Sequence, residues 1–351
     1  MKFQSYNEFW QNLRKTAQKE AIPLRVMLEL TYACNFKCRH CYVPQSYIKK
    51  YSKKELKTKY VFSILDQLKD MGCFYLGFTG GEPFTRKDII PILWYAKKKG
   101  FEIIIYTNGS LIDEKIANEL NDIRPNKVDI TIPAMSKKSF EAITGTADLH
   151  KKVFNAINHL YNNGVKLGFK SCLLKDNKSE IKDIQKFALS LNALHRLDDM
   201  PSPRLDGSKE PYKYGIRSQV TCNRHQVSGS REQVECSRPQ AASSRSENLF
   251  YCGVGKTQAA ITPAGELKMC LMIDYPKYNI LKASLKECWC RLKKLCVSVK
   301  PDRHYECHKC DLKIYCNWCP ASSWLRNKTF TACDPNDKLN AQTRYYAAHR
   351  D

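Results

Sequence analysis

The chain has 351 residues, 43% of them hydrophobic, and a formal charge of +23, a balance that excludes a disordered chain and a disulfide-stapled miniprotein. The opening MKFQSYNEFW holds no signal-peptide core, and no apolar run is long enough to span a bilayer, so a soluble, cytoplasmic protein without membrane contact is expected. Seventeen cysteines in such a chain point to metal, zinc or iron–sulfur, rather than disulfides. The charge reads first as a lysine-rich solvated surface, with attraction of an acidic peptide or an acidic electron donor as a further option. No compact arginine-rich block with interleaved aromatics supports a nucleic-acid surface.

Residues 5–20 read as a short amphipathic helix. LRVMLELTY (24–32) reads as a strand, and the helix over 52–72 is expected to open on a capping box of Ser52 and Glu55. CFYLGFTGG (73–81) is the second strand, and the helix over 86–100 stops at Gly100. FEIIIYTNG, NKVDITIP and VKLGFKSCLL supply three more strands, each followed by helical periodicity, and HRLDDMPS can supply a sixth. Strict alternation of strand and helix predicts an α/β fold with a parallel sheet, a partial (β/α)6 TIM-like barrel whose site opens at the carboxyl ends of the strands. Residues 216–249 break the pattern: they hold no aromatic residue and no lysine. A surface linker is one reading of them, and a segment translated from a shifted frame is the other.

Cys34, Cys38 and Cys41 form C-x3-C-x2-C in the loop after the first strand. Zinc would want a fourth protein ligand, and His40, adjacent to Cys41, is badly placed to share the ion. A [4Fe–4S] cluster held by three cysteines instead leaves one iron open. TGGEP, with Gly80, Gly81, Glu82 and Pro83, ends the next strand; its glycines let backbone approach a ligand and its carboxylate can pair with an ammonium.

These two motifs resemble those of the radical S-adenosylmethionine (SAM) superfamily. The resemblance implies that SAM occupies the open iron and that Tyr42 lies near its adenine, with Phe36 matching a second frequent aromatic. It implies that Gly80, Gly81, Glu82 and Pro83 hold the SAM amino group, that Asn108 in YTNG lines the site, and that Thr131 in VDITI matches a serine touching the ribose. Many relatives carry an arginine about a dozen residues later; here FEAITG stands in that neighbourhood without one, with Lys137 and Lys138 nearby.

After residue 250 the cysteines crowd. Cys252 and Cys270 flank Gly265 as C-x12-G-x4-C, and Cys307, Cys310, Cys316 and Cys319 form C-x2-C-x5-C-x2-C, followed by Cys333. Spacing alone also fits zinc. Together the seven resemble the SPASM extension of radical SAM enzymes, which carries auxiliary [4Fe–4S] clusters, apart from x2 where the family usually has x3. The resemblance implies that Cys252, Cys270 and Cys319 serve a nearer cluster and that Cys307, Cys310, Cys316 and Cys333 complete a farther one. The nearer cluster then lacks a fourth thiolate, for which Cys222 and Cys236 are donors to consider. Cys73 and Cys172 read as small core residues, and Cys288, Cys290 and Cys296 as residues of a connecting helix rather than ligands.

The expected organisation is an N-terminal helix (1–23), a radical SAM core barrel (24–200), an atypical linker (201–249), a small cysteine-rich iron–sulfur domain (250–335) and a tail (336–351). The implied function is reductive cleavage of SAM to a 5′-deoxyadenosyl radical that abstracts hydrogen from a peptide or protein substrate, with reduced flavodoxin or ferredoxin as electron donor. No peptide-binding domain precedes the barrel, so leader recognition is expected to need another protein or another surface. A sulfatase-maturing enzyme is an alternative, against which Leu271 counts, since that branch has an aspartate there. A tetrapyrrole-modifying enzyme is another. Outside this class stands a zinc protein that binds nucleic acid.

Overall fold

The computed structural model describes residues 6–216, 249–333 and 335–349. Most of the lysine-free stretch, with Cys222 and Cys236, lies outside the described residues. In chain order the first half comprises α1 (Tyr6–Glu20), β1 (Arg25–Thr31), α2 (Gln45–Ser52), α3 (Thr58–Asp70), β2 (Tyr75–Gly80), α4 (Ile89–Lys98), β3 (Glu102–Thr107), α5 (Glu114–Ile123) and β4 (Lys127–Thr131). It continues with α6 (Lys137–Thr144), α7 (His150–Asn162), β5 (Leu167–Cys172), α8 (Ile181–Ser190) and β6 (Leu194–Asp198). Strands β1 to β6 pair in sequence order and all in parallel, as the helical crossovers between them require. The expected partial (β/α)6 barrel is therefore observed.

Alternation along each strand separates two faces. Val26, Leu28 and Leu30 of β1, with Leu76 and Phe78 of β2, are buried in the core that also takes Ile64, Leu65 and Leu68 of α3 and Ile92 and Leu93 of α4. The other face lines the lumen. An added Cβ at Gly77 would meet Met27 and Tyr106, and one at Gly168 would meet Lys127 and Asp129, so these residues share that interior. Its charges are paired: Lys127 with Asp129 at 3.0 Å and Lys170 with Asp198 at 2.8 Å.

The chain departs from expectation at residues 52–57. Ser52 ends α2 and its hydroxyl donates to Lys49 O, while α3 begins only at Thr58. Glu55 does not cap a helix; it accepts from Thr31 Oγ1 at the end of β1. The expected helix thus starts six residues late, because residues 53–57 are recruited to the end of the sheet, and α2 before it was not expected. Arg86 donates to Leu30 O and Leu56 O, both at 3.1 Å, and binds both carboxylate oxygens of Asp88.

The C-terminal region does not stand apart. β7 (Gln258–Ile261) lies parallel to β1 on the side opposite β2, with Arg25 facing Gln258 and Leu28 facing Ile261. β8 (Glu266–Lys268) and β9 (Tyr278–Asn279) follow antiparallel, giving one sheet in the order β6-β5-β4-β3-β2-β1-β7-β8-β9. α9 (Leu285–Ser298) opens on a capping box of Ser284 and Glu287. It is pinned to the barrel by Trp289 Nε1, which donates to Ala21 O at 2.6 Å. α10 (Pro320–Asn327) and α11 (Pro335–Ala348) close the chain. Trp318, Tyr305 and Phe330 of this region belong to the same buried core as the barrel, where the sequence showed little sign of one. No helix among the described residues is long and apolar enough to cross a membrane.

Arg86→Ala would leave Asp88 and two buried carbonyls without their cation. A loss of about 3 kcal/mol is expected in chemical denaturation, and a loss below about 1 kcal/mol, typical of an exposed pair, would contradict this role.

Candidate functional site

The loop that follows β1 carries Cys34, Cys38 and Cys41, all partly buried. It is held from three sides. β2 ends against it: Gly81 N donates to Thr31 O and Glu82 N to Ala33 O, both at 2.8 Å. A Cβ at Gly80 would stand 2.1 Å from Thr31 O, and one at Gly81 2.3 Å from Ala33 O, so only glycine fits either position. The close approach these glycines permit is to the cysteine loop itself. On a second side, the carboxyl end of α6 docks, with Lys37 N donating to Thr144 O at 2.8 Å and the Phe36 and Phe140 rings meeting edge to face at 5.5 Å. FEAITG, the stretch without an arginine, here grips the loop, while Lys137 and Lys138 are exposed at the other end of α6. On the third side, Leu205 N donates to Tyr42 O at 2.9 Å.

Glu82 is fully buried. Its carboxylate accepts from Phe84 N at 3.0 Å, Thr107 Oγ1 at 2.8 Å and Asn108 N at 2.6 Å. It therefore braces the end of β2 against the end of β3, with Pro83 starting the short turn of helix that presents Phe84 N. Burial pushes its carboxyl up to about 7, against the opposing pull of those three donors. Asn108 is drawn in by the same brace. Its amide donates to Asn35 Oδ1 at 2.8 Å and approaches Cys34 Sγ at 3.9 Å, while its carbonyl accepts from Ser110. Thr131 ends β4, half-buried and level with Lys170.

Tyr42 points inward and its hydroxyl donates to Glu29 Oε1 at 3.2 Å; Tyr32 donates to Glu29 Oε2 at 2.9 Å. Glu29, 2% exposed, pairs at 2.7 Å with Lys268, which is 0% exposed. The sequence reading missed Glu29, Lys268, Tyr32, Asn35 and Ser110. The signal for Glu29 was present: in LRVMLELTY it falls on the period-2 face of Arg25, Met27 and Thr31, pointing into the lumen.

The thiols themselves are costly to ionise alone. Burial raises Cys34 to about 11, and Cys38 well above the usual range, with the neighbouring thiols adding to it. Burial raises Cys41 as well, against the pull of the nearby Arg204 cation. His40 Nδ1 and Arg204 Nε are buried without hydrogen-bond partners beside this loop, and burial lowers His40 to about 4, leaving it neutral.

The other candidate ligands lie in the C-terminal region, where no three His, Cys, Asp or Glu side chains among the described residues stand together as a metal site. Cys307, Cys310, Cys316 and Cys333 line one cavity with Trp318 and Lys338. Cys270 is buried and its thiol is pushed up by burial first and then by the charges of Cys319 and Cys252. Tyr251 OH donates to Trp318 O at 2.8 Å, tying the residues next to Cys252 and Cys319 together. Trp318 is fully buried; its backbone N–H donates to Cys316 Sγ at 3.4 Å and its indole N–H to Ala332 O at 2.9 Å. Cys73 is buried and Cys172 partly buried, both within or beside strands.

Glu82 yields a pH prediction. The folded chain holds its proton up to about 7, whereas a free carboxyl of this type loses it at 4.5, so stability falls as pH rises through that window. Denaturation on either side of the window should show the wild type losing up to about 3 kcal/mol more than Glu82→Gln. Equal pH slopes would contradict the buried-carboxyl account.

Residues 28–188 match the Radical SAM superfamily. The Fe-coproporphyrin III synthase of Methanosarcina barkeri is 30% identical over 161 residues, covering 45% of this chain and 38% of that protein. The PqqA peptide cyclase of Bradyrhizobium diazoefficiens is 27% identical over 180 residues, covering 51% and 47%. The similarity thus spans less than half the length of either relative. The crystal structure of Streptococcus suis SuiB bound to precursor peptide SuiA has a TM-score of 0.68 at 17% identity, covering 96% of this chain and 82% of that one, a likeness of fold. The superfamily match runs from β1 into α8, less than half of the chain, and contains the three-cysteine loop, the Gly80–Pro83 turn and Asn108.

Proposed function

We propose that the chain is a radical SAM enzyme acting on a peptide or protein, with Cys34, Cys38 and Cys41 holding a [4Fe–4S] cluster whose open iron takes SAM. The observation that carries this reading is the three-thiol loop fixed by backbone contacts at the carboxyl edge of the sheet. The donor set fits the group. Three partly buried thiols with raised pKa values need the positive charge of a bound metal to be held as thiolates, which a cluster's irons would supply. When bound, the cluster and SAM supply a hydrogen-abstracting radical after one-electron reduction, for which reduced flavodoxin or ferredoxin is the proposed donor.

The chain's own residues do the positioning. Gly80 and Gly81 fix the distance between the cysteine loop and β2, and Glu82 and Asn108 present a carboxylate and an amide beside Cys34. Glu29 holds the Tyr42 hydroxyl, which sets the ring at the place proposed for adenine. Thr131 faces the same carboxyl edge and is the proposed ribose contact. The lumen beyond, with Lys170 and Asp198, is the proposed substrate space, and its charge pairs would orient polar groups and exclude water. In the C-terminal region, proposed to run as an auxiliary-cluster domain over 250–335, Cys252, Cys270 and Cys319 serve a nearer cluster. Cys307, Cys310, Cys316 and Cys333 serve a farther one. The fold likeness to SuiB, together with the sequence relation to a peptide cyclase, supports a peptide substrate. The coproporphyrin synthase relative supports a second reading, a tetrapyrrole substrate whose carboxylates would meet Lys170 and Arg196.

Anaerobic reconstitution with iron and sulfide should give about 12 irons per chain for three clusters, and about 8 for a Cys34→Ala/Cys38→Ala/Cys41→Ala variant. Stoichiometric zinc without iron would overturn the reading. With reductant, the wild type should release 5′-deoxyadenosine from SAM and the triple variant none. Mass spectrometry of short peptides encoded beside the gene, against coproporphyrin as the alternative substrate, then separates the two substrates by which one is altered.

A further inference from the structure

The nearer auxiliary cluster, as proposed above, has three thiols and leaves one position unaccounted for. The inward face of α9 carries Leu285, Cys288, Trp289, Leu292 and Cys296. Its first half docks on the barrel, through Leu285 N to Gln67 Oε1 and Trp289 Nε1 to Ala21 O. Its far end meets the turn that follows Cys252. That turn is tight: Gly253 O accepts from the N–H groups of Lys256, Thr257 and Gln258. At its middle, Gly255 has φ +69°, and a Cβ added there would lie 2.5 Å from Cys296 Sγ. No side chain therefore separates the Cys296 sulfur from the turn carrying Cys252. α9 also packs on β8, whose last residue, Lys268, lies two positions before Cys270. Tyr251, next to Cys252, holds Trp318, next to Cys319.

We infer that Cys296 supplies the fourth thiolate of the cluster held by Cys252, Cys270 and Cys319, an assignment that rests on the auxiliary-cluster reading above. Cys296 is 7% exposed. Cys288, two turns earlier on the same helix face, differs: its Sγ is directed at Ala283 O. With four thiolates the nearer cluster has no open iron. Its role is then electron transfer rather than anchoring of a substrate group.

The test uses the full chain carrying Cys34→Ala, Cys38→Ala and Cys41→Ala, so that only the auxiliary clusters remain, reconstituted anaerobically and then mildly oxidised. The parent should keep about 8 irons and show no three-iron signal in low-temperature electron paramagnetic resonance. Adding Cys296→Ala should lose about one iron and produce that signal, whereas Cys288→Ala, Cys222→Ala and Cys236→Ala should behave as the parent. Should Cys296→Ala fail to fold, Cys296→Ser retains size and an oxygen ligand, and is expected to shift the nearer cluster's reduced spectrum. A Cys296 variant indistinguishable from the parent, or a parent that already shows the three-iron signal, overturns the assignment alone. A parent without clusters overturns the auxiliary-cluster reading with it.

Discussion

The structure turns on a backbone-to-backbone contact. At the ends of β1 and β2 the chain comes together so closely that Gly80 and Gly81 have no room for a Cβ, with Thr31 O and Ala33 O standing where the side chain would go. The obstructing atoms are backbone carbonyls, which cannot swing aside as a side chain can. The contact sets the register between the cysteine loop and the β2 turn, and through Glu82 it reaches the end of β3. Three adjacent strand ends become one rigid edge, the preorganisation a site must have before it holds any ligand.

Buried charge is then spent where the edge needs it. Glu82 accepts from two backbone N–H groups and a hydroxyl, so its isolation from water is offset only in part, and by hydrogen bonds rather than by a cation. Glu29 is satisfied differently, by two tyrosine hydroxyls and the buried ammonium of Lys268. Removing one member of such a pair typically costs about 3–5 kcal/mol. Lys268 belongs to β8 and lies two residues before Cys270, so this ion pair couples the barrel lumen to the cysteine-rich region. The shared sheet and core make that coupling rigid.

Much of this was legible in the sequence because it is local. Strand–helix alternation, the glycine after α4 and the C-x3-C-x2-C loop each announce themselves within a dozen residues. What escaped depends on long-range pairing. Nothing near Ser52 and Glu55 reveals that Thr31 and Arg86 draw residues 53–57 to the sheet and delay the helix to Thr58. The parallel pairing of β7 with β1 joins residues more than two hundred positions apart, so the C-terminal region read as a separate unit. Cys296 has the same explanation. On α9 it has the spacing of an ordinary core residue, and only the long-range meeting with Gly255 brings it to the turn that follows Cys252. The glycines of TGGEP were legible as a close approach, but their immediate neighbour is the cysteine loop.

The central claim is that the coordination left open by Cys34, Cys38 and Cys41 is completed by SAM. It is tested most directly by electron–nuclear double resonance on the reduced, anaerobically reconstituted protein with SAM labelled with nitrogen-15 in its amino group. The account predicts a nitrogen coupling to the cluster that disappears in the Cys38→Ala variant. A reduced cluster whose spectrum is unchanged by SAM and shows no nitrogen coupling would contradict it.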